Sequence, residues 1–171
     1  MRQLLSGFLG FFESSDKTNI ANRPSLKHIP ELENLQALGA LAKQKNLPIM
    51  LAFGAEWCEF CKQLKSEVLD PMALGGDYEG KYMYMRYVSL DDPKPIPDFN
   101  GKPILKSNWA DHYDVDLTPT VLFVDGDGQE VAPRLVGIPN IEFYSSRILR
   151  ALNQAYAKMG NPMRVSTMPK S

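Results

Sequence analysis

"FGAEWCEFCKQL", Phe53–Leu64, holds Cys58 and Cys61, the only two cysteines of a 171-residue chain. The apolar run in front of it, "PIMLAFGA" from Pro48, suits a buried central strand. From Cys58 to Leu69 the pattern turns helical, through Cys61, Leu64, Lys65 and Val68. Asp70-Pro71 marks the end of that helix or a kink in it. A cysteine in the first turn of a helix faces unpaired N–H groups and the positive end of the helix dipole. Both favour the thiolate, which is the nucleophilic form. Cys61 falls on the same face, three residues on. Such a pair can cycle between dithiol and disulfide. Cys58 attacks a substrate disulfide, and Cys61 resolves the mixed disulfide that forms.

Three plainer readings of the pair stand beside this one: half a zinc site, a static bridge, or two small buried apolar residues. Zinc needs more ligands, and the chain offers only His28 and His112 in addition, far apart in sequence. A static bridge over so short a loop adds little stability. The spacing itself favours redox chemistry. His112 reads as a surface histidine, since catalysis needs a specific partner within reach. Met83 and Met85 read as core packing rather than as copper ligands.

The rest of the chain bounds these readings. Its length suits one domain with a real core. The formal net charge is −1, and no Lys/Arg stripe stands out, so no nucleic-acid partner is expected. No apolar run is long enough to span a bilayer, and no membrane contact is expected within the domain. At the N-terminus, Leu4–Phe12 is a short apolar run with no small-x-small processing site after it. Leu5, Phe8 and Phe12 are expected to pack on the domain. The alternative is a remnant of a targeting segment.

Further along, Leu32, Leu35, Leu38 and Leu41 keep helical spacing until Asn46 and Pro48 stop it. "KYMYMRYVSL" reads as a strand. Asp91–Asn108 is an irregular, proline-rich excursion. Ser107 or Asn108 is placed to cap the short helix that follows it. "PTVLFVD" and "QEVAPRLVG" read as two strands joined by the turn signal "GDG". Asn140 caps a last helix with Ile141, Tyr144, Ile148, Leu152 and Tyr156 on one stripe, ended by Gly160. This order predicts an α/β fold: a central mixed sheet, parallel in part, with an antiparallel edge and helices on both faces. The boundaries expected are an arm over 1–30, a domain over 31–160 with an inserted loop at 91–107, and a loose tail over 161–171.

"AEWCEFCK" after an apolar strand, "TPTVLFVDGDGQEV" about sixty residues later and then "LVG" together resemble the thioredoxin superfamily. The resemblance covers roughly Leu47 to Met159. It is similar more narrowly to thioredoxin-like proteins of bacterial envelopes, through "EVL", "DFNG" and "YDVDLTPTVLFVD". It implies a thioredoxin-like fold and a thiol–disulfide oxidoreductase acting on protein disulfides, in the reducing direction, fed by an electron-donating redox protein. It implies no cofactor and no metal, and a periplasmic location, with the cytoplasm as the alternative. Carried over by position, Cys58 is the attacking thiol and Cys61 the resolving one. Trp57 flanks the motif. Pro119 is held in cis, and the backbone of Thr118 binds extended substrate. Copper handling, or partner binding without turnover, is the rival reading.

Three departures from thioredoxin stand out. Ala52 replaces a buried aspartate six residues before the first cysteine, so the usual carboxylate for the resolving thiol is missing. Glu59-Phe60 replaces Gly-Pro, and a carboxylate next to Cys58 opposes its thiolate. The segment 91–107 is expected to add a rim near the substrate face.

Overall fold

The computed structural model describes residues 26–168. In chain order its elements are α1 (Leu35–Lys45), β1 (Ile49–Gly54), α2 (Glu59–Leu64), α3 (Asp70–Ala73), β2 (Tyr84–Ser89), β3 (Ile96–Pro97), β4 (Pro103–Ile104), α4 (Lys106–His112), β5 (Thr120–Val124), β6 (Leu135–Val136) and α5 (Tyr144–Lys158). β1 is central, and every one of its residues is buried. A strand apolar on both faces needs cover on both faces. β2 lies parallel to β1, with Ala52 opposite Tyr87. β5 runs antiparallel on its other side, and β6 extends the sheet from β5. This is the expected mixed α/β sheet. Phe53 stacks on Trp109 of α4, with ring centroids 5.7 Å apart. Gly54 instead approaches Cys61 of α2. Successive strand residues point to opposite faces, so α4 and α2 cover opposite sides of the sheet.

The helix ends follow local chemistry. Asn34 Oδ1 accepts the Ala37 N–H at 2.9 Å to start α1, and Asn46 closes it at φ 50°. Leu32, Leu35 and Leu38 are buried, but Leu41 is exposed and Ala42 takes the inward position. A strict three-residue spacing drifts off a 3.6-residue turn, and a fourth-residue step restores it. After α2, Lys65–Leu69 forms a wide π turn closed by the Asp70 N–H on Lys65 O. The helical path then runs through Pro71 to Ala73, so Asp70-Pro71 does not end it. Gly75, at φ 76°, turns the chain and donates to Leu26 O at 2.9 Å.

α4 starts at Lys106, after Leu105, with no side-chain cap. Ser107 and Asn108, the expected caps, lie inside the helix. Tertiary contacts fix its start instead: Lys106 is buried against two carboxylates, and Trp109 enters the core. In the hairpin, Asp125 Oδ1 accepts the N–H groups of Asp127 and Gln129. Beyond it the expected second strand shortens to Leu135–Val136. Pro133 has no N–H to give to a ladder there. On α5, Tyr144, Ile148, Leu152 and Tyr156 are fully buried. Ile141 is only partly buried, in a short 3₁₀ turn whose Glu142 N–H is capped by Asn140.

The end of the chain is held further than the expected loose tail. Asn153 bonds both the N–H and the C=O of Val165, and Asn161 donates to Asn46 O. The run Leu4–Phe12, with its expected packing of Leu5, Phe8 and Phe12, lies outside the described residues. Among the described residues no helix is long and apolar enough to cross a membrane.

Candidate active site

The site grows from the end of β1. The Leu90 N–H donates to Gly54 O, and the Cys58 N–H reaches back to Ala55 O at 3.2 Å. Asp91 Oδ2 accepts the Glu56 N–H, also at 3.2 Å. This short turn delivers Cys58 to the cap position of α2, where its Sγ accepts the Cys61 N–H at 3.3 Å. That hydrogen bond supplies one of the donors a thiolate needs. Cys58 and Cys61 form a disulfide with their Cα atoms 5.2 Å apart.

The two sulfurs occupy different surroundings. Cys58 is 7% exposed, and Cys61 is fully buried beneath it. Cys58 Sγ lies 3.7 Å from Thr118 O. The Thr118–Pro119 peptide is cis, as the resemblance implies. Pro119 is buried, and its carbonyl accepts the Gly137 N–H at 2.8 Å, which fixes the entry to β5. Sequence positions sixty residues apart therefore meet at one edge.

Around Cys58 a groove of about 460 Å³ is walled by Trp57, Phe60, Leu90, Val115, Leu117 and Thr118. Trp57 is 74% exposed, and Phe60 and Leu117 are exposed as well. Large apolar groups left in water beside a reactive centre mark a binding surface. Glu59 points into solvent with Lys62 Nζ 3.5 Å away. No residue of the 91–107 segment lines this groove, although a rim was expected there. The segment is drawn instead toward Glu31 through Lys106, and only Asp91 braces the turn, from behind.

Behind α2 lies a second cavity of about 400 Å³, lined by His28, Glu31, Glu56, Lys62, Lys65 and Tyr87 among others. It shares no lining residue with the groove. Asp70, at its rim, accepts hydrogen bonds from His28 at 3.0 Å, from the Ile29 N–H at 2.9 Å and from Lys65. Burial alone would raise its pKa, but these donors outweigh burial and hold it below the ordinary aspartate value.

The other residues weighed from sequence lie apart from this chemistry. Met83 and Met85 are buried in the core. His112 is exposed, edge-on to Tyr113. Among the described residues no group of three or more His, Cys, Asp or Glu could hold a metal ion. Sequence reasoning missed Tyr87, Asp91 and Leu117. The one signal for Tyr87 was the glycine ending β1, which leaves room for a large neighbour.

Residues 36–152 match the thioredoxin-like domain family. The thiol:disulfide interchange protein DsbD of Vibrio vulnificus is 27% identical over 144 residues, covering 84% of this chain and 22% of that protein. Its Escherichia coli K12 namesake is 25% identical over 149 residues, covering 86% and 24%. The chain thus spans under a quarter of the length of these relatives. A solved structure titled DsbH oxidoreductase superposes with a TM-score of 0.51 at 22% identity, covering 77% of this chain and 90% of that one, a likeness of fold. With a family match across most of its length, a mixed sheet of the matching fold and the cysteine pair at the end of β1, the chain belongs to the thioredoxin-like domain family.

Proposed function

We propose that this chain is a thiol–disulfide oxidoreductase that reduces protein disulfides through Cys58 and Cys61, with electrons drawn from another redox protein. The observation that carries this reading is the asymmetry of the pair. Cys58 sits at the floor of an open apolar groove, 3.7 Å from Thr118 O, and Cys61 is sealed below. A substrate disulfide in the groove reaches Cys58 first. The Cys58 thiolate attacks one substrate sulfur, and the other leaves with the electron pair and takes a proton from solvent. Cys61 then attacks Cys58 and frees the remaining substrate thiol.

Trp57 gives an apolar wall for residues flanking the substrate cysteine. The Thr118 backbone pairs with an extended substrate as a short added strand. Pro119 holds Thr118 at the mouth of β5. The redox unit spans residues 31–160, with residues 91–107 as an insert and residues 1–30 as an arm. Kinship with proteins named for thiol:disulfide interchange supports the reaction class, and with it a periplasmic location.

The test is a trapping experiment. Cys61→Ser should accumulate mixed disulfides on Cys58, and Cys58→Ser should lose reduction of a protein disulfide such as insulin's. Adducts found only on Cys61, or full turnover without Cys58, would reverse the assignment. A wild-type protein that binds copper through the thiols and reduces no disulfide would favour the rival reading.

A further inference from the structure

Resolution makes a chemical demand on Cys61. Its thiol must lose a proton before it can attack, yet it is fully buried. The strand beneath it, IMLAFG, carries no ionisable side chain. The polar group beside Cys61 comes from β2. A methyl group placed on Gly54 would lie 2.0 Å from Tyr87 Oη and 3.1 Å from Cys61 Cβ. The hydroxyl and the cysteine therefore flank the same missing side chain. Among the described residues the hydroxyl makes no hydrogen bond, which leaves it free to donate. Tyr87 also lines the cavity behind α2, on the side away from the substrate groove.

We propose that Tyr87 serves the resolving step: its hydroxyl donates a hydrogen bond to the Cys61 thiolate, while the thiol proton leaves through the cavity behind α2. This rests on the oxidoreductase reading above. The Cys61 S–H bond breaks, and its proton passes to cavity water. The sulfur's electron pair forms the bond to Cys58, the Cys58–substrate bond breaks, and the substrate sulfur leaves as a thiolate that is protonated from solvent. The cysteine pair is oxidised and the substrate disulfide reduced.

The surroundings fit a donor. Burial, then the carboxylates of Glu31, Glu56, Asp91 and Asp70, push the Tyr87 phenol up to about 12, so it keeps its proton across the neutral range. Among the described residues, most of the charged groups facing it are engaged elsewhere, the Glu56 carboxylate being the exception. Asp70 is held by His28 and Lys65, Asp91 by the Glu56 N–H, Glu31 by Lys106 and the Ser89 N–H, and Lys62 lies near Glu59.

The experiment uses Tyr87→Phe in the full chain, which removes one oxygen and keeps the ring. In a Cys58→Ser background, thiolate absorbance should place the Cys61 titration about one unit higher with Phe at position 87 than with Tyr, the shift expected from losing one charge-assisted hydrogen bond. With both cysteines present, single-turnover reaction with a small disulfide should form the mixed disulfide at the wild-type rate and resolve it about tenfold more slowly near pH 7. The deficit should close as pH rises past the shifted titration. Gly54→Ala is the second probe. It keeps the hydroxyl but leaves it no room beside Cys61, and should slow resolution in the same selective way. An unchanged Cys61 titration, or equal losses in both steps, overturns the role of Tyr87. A wild-type protein that never forms a mixed disulfide sinks the oxidoreductase reading instead.

Discussion

Lys106 is a buried ammonium at the end of a proline-rich insert, where α4 begins, and Lys106→Met tests what it holds. Methionine keeps the length and apolar stem but removes the charge. The Lys106 side chain is 2% exposed, with Nζ 2.9 Å from Asp92 Oδ2 and 3.3 Å from Glu31 Oε1. Removing one partner from a fully buried ion pair costs about 3–5 kcal/mol, because a charge is left uncompensated. Here the carboxylates keep 33% and 31% exposure, so water takes over part of their solvation. The loss then falls to about 2 kcal/mol. In a domain of this size that lowers Tm by about 4–8 °C. Thermal and denaturant unfolding followed by tryptophan fluorescence measures it, since Trp109 sits in the core beside this insert. An unchanged denaturant slope confirms that native stability was altered rather than the unfolded state. Pairing the substitution with Glu31→Gln and Asp92→Asn should recover part of the loss. If Lys106→Met is as stable as the parent or more so, the cost of burying the ammonium exceeds its attraction to the carboxylates, and the reasoning fails.

Two more outcomes can be measured directly. Asp70 is held below its ordinary value of 3.8 when folded, so its stabilisation is complete above that value and disappears as pH falls through the lower folded one. Asp70→Asn should lower stability at neutral pH and flatten that acid limb in unfolding midpoints taken across pH, and an acid limb identical to the parent's would count against it. Glu59 stands in solvent beside Lys62, so Glu59→Gln should change the alkylation rate of reduced Cys58 by less than about threefold, and a larger change would mean that its carboxylate acts on the thiolate despite the solvent.

The elements that sequence revealed are those that local chemistry decides. The apolar run before Cys58 became β1, Asn46 took the cap position expected of it, Asn140 capped the 3₁₀ turn that leads into the last helix rather than the helix itself, and "GDG" became the turn folded around Asp125. The cysteine pair was legible because spacing along a helix fixes its geometry. What stayed hidden depends on distant partners. Nothing in "PILKSNWA" marks its lysine as buried, because Glu31 and Asp92 come from other parts of the chain. Pro71 reads as a helix breaker until the wide turn before it is seen. Tyr87 reads as one more aromatic in a strand. Its register opposite Ala52, and the gap left by Gly54, exist only once the sheet has formed.

These hidden contacts give α2 a second purpose as a partition. On one side Trp57, Phe60 and Leu117 build an apolar groove suited to side chains around a substrate cysteine. This face is open to solvent, which can protonate a departing substrate sulfur. On the other side, carboxylates, lysines and a tyrosine hydroxyl line a polar cavity in which water can carry the proton off. Cys58 faces the groove, while Cys61 is sealed from it and adjoins Tyr87. In the proposed mechanism, disulfide exchange proceeds on one face of the helix and proton release on the other. The proposed role accounts for a feature that is otherwise a deficit: Ala52 supplies no carboxylate to the resolving thiol, and on this proposal the residue opposite it in the sheet, Tyr87, supplies a hydroxyl instead.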